Sequence, residues 1–304
     1  MRTAPDYIQF YPTLRCNRSC DFCFNRSMPA VPDMSLNDFR VMLDVLTRVS
    51  VKTIDIIGGE PTMHPDILGF IREAVGAGFS VNLSSNGANL TVLEEIMGPG
   101  THVAVGISIN DRETLDQVRG FVQQHKPIAK TIFSHGMDCD MIKEILSLGP
   151  KRFYLIYRDA LGRNDLHAAL PFHRFKTEVE KKFDPGQVGM VYCSGFLPDK
   201  LNYPELAQVR CPAGTAKLGV MPDGSVYPCN LFFGRKDFLL GNILTDSFDF
   251  IWSHGALAFF RAHMANVCPR KSCALHDKCH GGCPAHGLFI NGDLAAPDPR
   301  CVEE

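Results

Sequence analysis

Apolar residues in the first half of the chain form short runs, separated by longer stretches in which apolar positions recur with a helical period. The short runs are rich in β-branched and aromatic side chains, which favour β-strands. They are YIQFYPT (7–13), KTIDIIG (52–58), FSVNLSS (79–85), HVAVGIS (102–108), IAKTIFS (128–134) and RFYLIYR (152–158). The stretches between them predict helices, and these are LNDFRVMLDVLTRV, DILGFIREAVGAG, LTVLEEIMG, ETLDQVRGFVQQH and MIKEILSLG.

The alternation of strand and helix predicts an α/β fold with a parallel sheet built from right-handed crossovers. Six such units are too few for a closed barrel of the TIM type, so we expect a partial (β/α)6 barrel. The loops that follow the strands converge at one end of a parallel barrel. Residues that bind or react are therefore expected at the C-terminal ends of the strands.

The character of the chain changes after a further helical pattern near 165–183. From about residue 186, Gly, Pro and Cys become frequent. The turn sequence PDG (222–224), between LGVM and SVYPC, predicts a β-hairpin, and an amphipathic helix is predicted within the stretch 241–265. We therefore expect a barrel domain over 1–185 and a smaller, cysteine-rich domain over 186–304.

Composition narrows the range of partners. The chain of 304 residues is 45% hydrophobic and carries a formal net charge of -2, so it predicts a globular protein without the basic field that nucleic acid requires. There is no apolar run of the roughly 20 residues that span a bilayer, and the N-terminus lacks the pattern of a signal peptide. The sequence predicts a cytoplasmic protein that binds neither nucleic acid nor membrane.

Cysteine is the residue type that carries the chemistry. Twelve cysteines in a reducing compartment favour metal binding or catalysis over disulfides. Three occur within 16–23 and seven within 211–301, and only Cys139 and Cys193 lie between these groups. Cys139 is interpreted as a structural residue.

The first group, Cys16, Cys20 and Cys23, follows the first predicted strand with three and then two residues between the thiols. A structural zinc site takes four ligands, so three cysteines fit it poorly. On a 4Fe-4S cluster, three thiolates leave one iron without a protein ligand, where another molecule can bind. A three-cysteine site for a different metal is the alternative.

This spacing resembles that of the radical S-adenosylmethionine (SAM) enzymes. The resemblance implies that SAM binds the open iron, and that an electron from the reduced cluster splits SAM to a 5'-deoxyadenosyl radical, which takes hydrogen from a substrate. It also implies SAM contacts at an aromatic before the third cysteine, at a Gly-Gly-Glu motif, and at polar residues after the strands. The matching positions are Phe22, Gly58, Gly59, Glu60, Ser84, Ser85, Asn86, Ser108 and Arg119.

The cysteines near the C-terminus resemble the SPASM extension of that family, which implies two auxiliary 4Fe-4S clusters and three clusters in all. By this resemblance the outer cluster is held by Cys268, Cys273, Cys279 and Cys301. The inner cluster is held by Cys211, Cys229 and Cys283, with Cys193 as the available fourth ligand. Four residues separate Cys268 from Cys273, where the family usually has two. Structural zinc, with nearby histidines as ligands, is the alternative.

The SPASM resemblance implies modification of a peptide or protein side chain by cross-linking, oxidation or epimerisation. The first strand begins near Tyr7, which leaves no room for a leader-binding domain, so a separate recognition protein or a substrate without a leader is expected. Asn230 stands where sulfatase-maturating enzymes have a general-base Asp, and an amide cannot accept a proton at neutral pH. Asp159, after the sixth strand, is the candidate proton acceptor.

Two other functions stay open at this point. One is a radical enzyme acting on a small molecule, as an alcohol dehydrogenase or a tetrapyrrole-type decarboxylase. The other is an iron-sulfur electron carrier without enzymatic activity, which leaves the Gly-Gly-Glu motif without a purpose. For an enzyme, flavodoxin or ferredoxin is the expected electron donor, and Arg270 and Lys271 are charges that an acidic donor could contact.

Overall fold

The computed structural model describes residues 4–28, 30–98, 100, 102–134, 136–191, 211–262, 268–273 and 276–301. The described strands form one sheet in the order β10-β9-β8-β1-β2-β3-β4-β5-β6-β7. The strands are β1 (Tyr7–Phe10), β2 (Thr53–Ile56), β3 (Ser80–Ser85), β4 (Val103–Ser108), β5 (Ile128–Phe133), β6 (Arg152–Tyr157), β7 (Val188–Val191), β8 (Lys217–Val220), β9 (Ser225–Tyr227) and β10 (Gly241–Asn242).

The first six helices lie between consecutive strands of the parallel sheet, and the last four follow in the C-terminal region. The helices are α1 (Leu36–Arg48), α2 (Ile67–Gly76), α3 (Leu90–Ile96), α4 (Arg112–His125), α5 (Cys139–Ser147), α6 (Phe172–Lys182), α7 (Phe248–Trp252), α8 (Ala258–Arg261), α9 (His276–Cys279) and α10 (Pro284–Asn291). Across the residues that can be described, none of these helices has the length and apolar character needed to cross a membrane.

The partial barrel is confirmed. Strands β1 to β6 occupy the six predicted runs, and each pairs in parallel with the next. A seventh strand, β7, adds in parallel to β6. The parallel sheet therefore continues to Val191, past residue 185, where the first domain was expected to end.

The predicted hairpin is also confirmed, and it joins the barrel. Strands β8 and β9 are antiparallel, and β8 pairs in parallel with β1. Gly224 in the turn has a φ of +83°, and a Cβ there would lie 2.5 Å from the Asn242 side-chain oxygen. Only glycine accepts this combination without strain. The hairpin of the C-terminal region thus extends the sheet that carries the cysteine loop.

Local capping fixes where the helices begin. The side chains of Ser35, Asn89, Asp111 and Asp138 accept hydrogen bonds from backbone N–H groups in the first turns of α1, α3, α4 and α5, which satisfies donors that a helix start leaves unpaired. The apolar face of each helix then packs on the sheet, as in the ring contact of 5.3 Å between Phe10 and Phe39.

Side chains alternate between the two faces of each strand. On β2, Ile54 and Ile56 are buried against the helices, whereas Asp55 faces the inside of the barrel. Lys130 on β5 also faces the inside. The outer face of the sheet is therefore an ordinary apolar core, while the inner face is partly polar and open to a cavity.

Candidate active site

A cavity of about 500 Å³ opens at the C-terminal ends of the parallel strands. The cysteine loop after β1, the motif after β2 and the polar residues after β3 and β4 meet at this cavity. The sequence-predicted residues that line it are Cys16, Cys20, Phe22, Cys23, Gly58, Gly59, Glu60, Ser84, Ser85, Asn86, Ser108 and Asp159. The structure thus brings together in one place residues that are far apart in the chain.

The three cysteines of the loop are free thiols, with Cys16 exposed and the other two partly buried. The Cys23 amide donates to the Cys20 carbonyl over 3.2 Å, which curls the loop. Burial raises the pKa of Cys20, and the negative charges of Cys23 and Cys16 raise it further. Positive charge from bound iron is what such thiols need in order to ionise together.

The donor set fits a 4Fe-4S cluster. Three thiols on one loop beside a cavity supply three of its ligands and leave one iron open. In the part of the chain that the structure describes, no three Cys, His, Asp or Glu side chains are arranged to hold a single metal ion.

The Gly-Gly-Glu motif holds the segment that leads into the cysteine loop against the end of β2. The Gly59 amide donates to the Thr13 carbonyl over 3.0 Å, and the Glu60 amide donates to the Arg15 carbonyl over 2.7 Å. A Cβ on Gly59 would lie 2.0 Å from the Arg15 carbonyl oxygen, and one on Gly58 would lie 2.7 Å from the Thr13 oxygen. Glycine is required here by the packing of the protein itself.

The variant Gly59→Ala is therefore expected to lose about 1–3 kcal/mol of unfolding free energy through overpacking, and to bind less iron because the cysteine loop moves. Urea denaturation and iron analysis of anaerobically reconstituted protein measure both effects. Gly76→Ala is the control, since no atom lies within 4 Å of its added Cβ. Equal behaviour of the two variants would contradict this role of Gly59.

Glu60 lies at the rim of the cavity, is only 1% exposed and accepts several hydrogen bonds. One carboxylate oxygen accepts hydrogen bonds from the Thr62 amide, the Thr62 hydroxyl and the Ser85 hydroxyl at 2.7–3.0 Å. The other oxygen accepts from the Asn86 amide over 2.7 Å. The Asn86 side chain donates in turn to Asn17 Oδ1 over 2.8 Å. Glu60 thus links the end of β3 to the cysteine loop.

Asp159 lines the cavity, but its carboxylate already has partners. Oδ1 lies 3.3 Å from Arg300 Nη1 and 3.2 Å from His286 Nε2. Its side chain is 8% exposed. These contacts connect the end of β6 to the C-terminal region, and the proposed role of Asp159 as a proton acceptor stays a prediction.

Arg119 is the predicted SAM contact that the structure does not bring to the cavity. It lies on α4, where its guanidinium pairs with Asp116 at 2.9 Å and with Glu144 of α5 at 2.7 Å. Arg18, in the cysteine loop, lines the cavity instead. It donates to the Thr114 hydroxyl at the start of α4.

Two buried ionisable residues on the inner wall, Asp55 and Lys130, are not among the residues predicted from the sequence. Burial raises the pKa of Asp55 to about 6, although Lys130 and Lys217 oppose the rise. Burial lowers the pKa of Lys130 to about 8, against the charges of Asp55 and Glu60. The signal that could have found them is a charged residue in the middle of each apolar run, KTIDIIG and IAKTIFS.

The electrostatic interactions of the auxiliary cysteines divide them into two groups. Burial raises the pKa of Cys229, and the charges of Cys211 and Cys283 add to it. Burial likewise raises the pKa of Cys301, which also interacts with Cys279 and Cys268. Cys273 is partly buried. Cys193 lies outside the described residues, and the assignment of ligands to two clusters stays a prediction.

Comparison with known proteins decides the family. The profile of the radical SAM superfamily matches residues 10–150. The profile of SPASM, an iron-sulfur cluster-binding domain, matches residues 211–284. The chain therefore contains a radical SAM domain followed by a SPASM domain. The two matched regions include the three loop cysteines and six of the seven C-terminal ones, Cys301 lying beyond the second match.

Curated relatives of this radical SAM protein cover nearly its whole length. It is 29% identical to the mycofactocin maturase MftC of Mycolicibacterium smegmatis, over 99% of this chain and 83% of the relative. It is 28% identical to the antilisterial bacteriocin subtilosin biosynthesis protein AlbA of Bacillus subtilis, over 94% of this chain and 69% of that protein.

A solved structure shares the fold of this radical SAM protein. Streptococcus suis SuiB bound to S-adenosylmethionine superposes with a TM-score of 0.76 at 17% identity, covering 99% of this chain and 78% of SuiB. SuiB bound to its precursor peptide SuiA gives the same TM-score at 15% identity. At this level of identity the likeness supports the fold.

Proposed function

We propose that this protein splits SAM reductively and uses the resulting radical to modify a peptide or protein side chain by cross-linking, oxidation or epimerisation. The observation that carries the proposal is the meeting of Cys16, Cys20 and Cys23 with the Gly-Gly-Glu motif at one cavity. The names of the relatives MftC and AlbA, a maturase and a bacteriocin biosynthesis protein, support a peptide substrate.

Cys16, Cys20 and Cys23 would hold the SAM-binding cluster, and Phe22, Ser84 and Ser108 are the proposed SAM contacts beside the motif. When bound, the cluster and SAM together supply a 5'-deoxyadenosyl radical that can remove a hydrogen atom from carbon. The chain's own contribution is position and shielding.

Position comes from backbone contacts and from Glu60. The Gly59 and Glu60 amides fix the cysteine loop, and Glu60 orients the Ser85 hydroxyl and the Asn86 amide. Shielding comes from apolar side chains, because Ile57, Ile132 and Ile156 line the same cavity. Apolar walls exclude the water and protons that would quench a reactive intermediate.

The small-molecule alternative and the electron-carrier alternative are not favoured. The relatives named above are a maturase and a bacteriocin biosynthesis protein, and the loop cysteines meet the Gly-Gly-Glu motif at one cavity. Asn230 lines that cavity and is 2% exposed. Its amide cannot serve as the general base that sulfatase-maturating enzymes use, which argues against that particular reaction.

The finer parts of the proposal concern cofactors and partners. Three 4Fe-4S clusters are proposed, two of them in the SPASM domain, with flavodoxin or ferredoxin as the electron donor. A separate protein that recognises the substrate peptide and a cytoplasmic location complete the proposal. The partly buried free cysteines support the cytoplasmic location, because unpaired thiols persist in a reducing compartment.

Anaerobic reconstitution with iron and sulfide, followed by incubation with SAM and dithionite, tests the function. The expected result is 5'-deoxyadenosine, detected by chromatography, and a mass change in a peptide encoded beside the gene. Omitting dithionite is the control. Purified protein that carries zinc at the loop, or that forms no 5'-deoxyadenosine with dithionite, would overturn the proposal.

A further inference from the structure

One carboxylate in the cavity has no hydrogen-bond donor. Five carboxylates line the cavity, and four of them accept hydrogen bonds from the protein. These are Asp21, Glu60, Asp111 and Asp159. Neither oxygen of the fifth, Asp55, has a hydrogen-bond partner in the described part of the chain. A buried carboxylate without donors is costly, so a native protein normally supplies them.

Asp55 lies in the wall of the cavity, with both of its oxygens buried. It is fully buried within β2, beside Gln9 of β1, and it lines the cavity. It precedes Gly58 by three residues, which corresponds to about 10 Å of extended chain. Asp55 therefore lies deeper in the barrel than the cysteine loop and the Gly-Gly-Glu motif, which are the proposed positions for the cluster and SAM.

A second orphaned acceptor lies in the same wall. Asn230 Oδ1 is buried and has no hydrogen-bond partner among the described residues, while Asn230 Nδ2 donates to the Tyr11 hydroxyl over 3.2 Å. That bond fixes the amide with its oxygen unused. Gln9, the register partner of Asp55, accepts a hydrogen bond from the Asn230 backbone amide over 3.5 Å, so the two acceptors share one neighbourhood.

Lys130 lies on the same wall but does not donate a hydrogen bond to Asp55. Lys130 reaches from β5 across β4 and donates to the Ser84 hydroxyl on β3 over 2.7 Å. Its side chain passes over Gly106, where a Cβ would lie 3.1 Å from Lys130 Cε. Its ammonium offsets part of the charge of Asp55, but it satisfies neither carboxylate oxygen.

We propose that Asp55 and Asn230 Oδ1 form a subsite that binds a guanidinium group, so that the peptide substrate presents an arginine to the inner wall. This inference rests on the proposed peptide-modifying function and names the substrate feature that the site reads. A guanidinium has five N–H donors in a planar fork that matches a carboxylate, and it retains donors for an amide oxygen. Two carboxylate oxygens and one amide oxygen without donors match that group.

Calorimetric titration of SAM-loaded, reconstituted protein tests the subsite. The probes are capped peptides of sequence Gly-Gly-Xaa-Gly-Gly in which Xaa is arginine, citrulline or norleucine. Wild type is expected to bind the arginine peptide about tenfold more tightly than the citrulline peptide, the effect of a charge-assisted bond. Asp55→Asn should remove this preference, and Asp140→Asn, a surface control, should keep it.

Several results overturn the inference. They are an arginine preference that survives in Asp55→Asn, equal binding of the three peptides by wild type, and no binding at millimolar peptide. Asp55→Glu keeps the charge and should retain part of the preference. The wild-type comparison stands by itself if Asp55→Asn does not fold.

The hydrogen-bond donor to Asp55 could also be the ammonium group of SAM. Titrations with peptide and with SAM distinguish the two donors. Peptide titrations without SAM should show the same arginine preference. A tenfold loss of SAM affinity in Asp55→Asn, with no change in peptide preference, would assign Asp55 to SAM and overturn the proposal. Formation of 5'-deoxyadenosine without an arginine preference removes this inference alone, whereas its absence removes the proposed function.

Discussion

Replacing Cys16 with alanine is expected to lower 5'-deoxyadenosine formation by at least about 1,000-fold, which corresponds to an increase of roughly 4 kcal/mol in the activation free energy. Cys16 is one of three thiols on the loop after β1, and the other two cannot hold a 4Fe-4S cluster with the geometry that leaves one iron open. Chromatographic measurement of 5'-deoxyadenosine with dithionite and SAM checks the effect.

The surroundings of Cys16 explain why serine should not rescue it. The Arg18 amide donates to its sulfur over 3.4 Å, and Asn86 Nδ2 lies 3.8 Å from the same atom. These donors are placed to stabilise a large, charged sulfur, as outer contacts of metal ligands generally do. The low-temperature EPR signal of the reduced cluster should be lost together with activity.

Cys139→Ala is the matched control for Cys16→Ala. Cys139 is also a partly buried free cysteine, but it begins α5, and its thiol points to the Met137 carbonyl 3.7 Å away. It is therefore expected to keep activity within about twofold of wild type. Equal loss in the two variants, or normal activity in Cys16→Ala, would remove the basis for assigning the cluster to this loop.

The partial barrel could be predicted because its strands are buried on one face and regularly spaced. Parallel strands under helices are rich in apolar residues, and capping residues such as Ser35 and Asp138 mark the helix starts. The predicted runs therefore match β1 to β6 closely. These signals are local in sequence, so they can be recognised without any knowledge of tertiary contacts.

The pairing of β8 with β1 could not be predicted in the same way. The hairpin of β8 and β9 has a local turn signal at Gly224, but its parallel partner β1 is about 200 residues away in the chain. Period and turn chemistry do not encode such a distant pairing. Strand β7 was not predicted either, because its apolar run VGMV is only four residues long.

Most of the candidate residues named from the sequence line one cavity, but their contacts with each other could not be predicted. Strand-end polar residues such as Ser85 and Glu60 were expected to meet, because the carboxyl ends of parallel strands converge. Their hydrogen bonds to each other depend on side-chain rotamers that a sequence does not display. Arg119 shows the same limit, since its place on α4 does not reveal that it faces Glu144 of α5.

Arg300, which is 3% exposed, is one of the residues that join the barrel to the C-terminal SPASM region. Its Nη2 lies 2.8 Å from Asp298 Oδ2, and its Nε donates to Asp298 Oδ1 over 3.1 Å. Nη1 donates to the Arg158 carbonyl over 2.9 Å and lies 3.3 Å from Asp159. The guanidinium also covers the Tyr157 ring at 4.6 Å. One cation thus joins two buried carboxylates from different parts of the chain.

Burial alone would raise the pKa of Asp298, but Arg300 and His286 hold it below its usual range. Asp298 is therefore ionised at neutral pH. Its charge is tolerable inside the protein because Arg300 supplies two hydrogen bonds and an opposite charge. Removal of the guanidinium leaves this carboxylate buried with weaker compensation, which is the costly outcome for a buried ion pair.

Arg300→Met is accordingly expected to lower the unfolding free energy by about 3–5 kcal/mol, measured by urea denaturation of the reconstituted protein under anaerobic conditions. Arg40→Met is the control, since Arg40 is half exposed and pairs with Glu73 at 2.6 Å, and such a surface pair contributes less than about 1 kcal/mol. Arg300→Lys keeps the positive charge but loses the planar set of N–H donors of the guanidinium. The stability of this variant should therefore fall between those of wild type and Arg300→Met. If Arg300→Met costs no more than Arg40→Met, the buried ion pairs do not stabilise the contact between the barrel and the SPASM region.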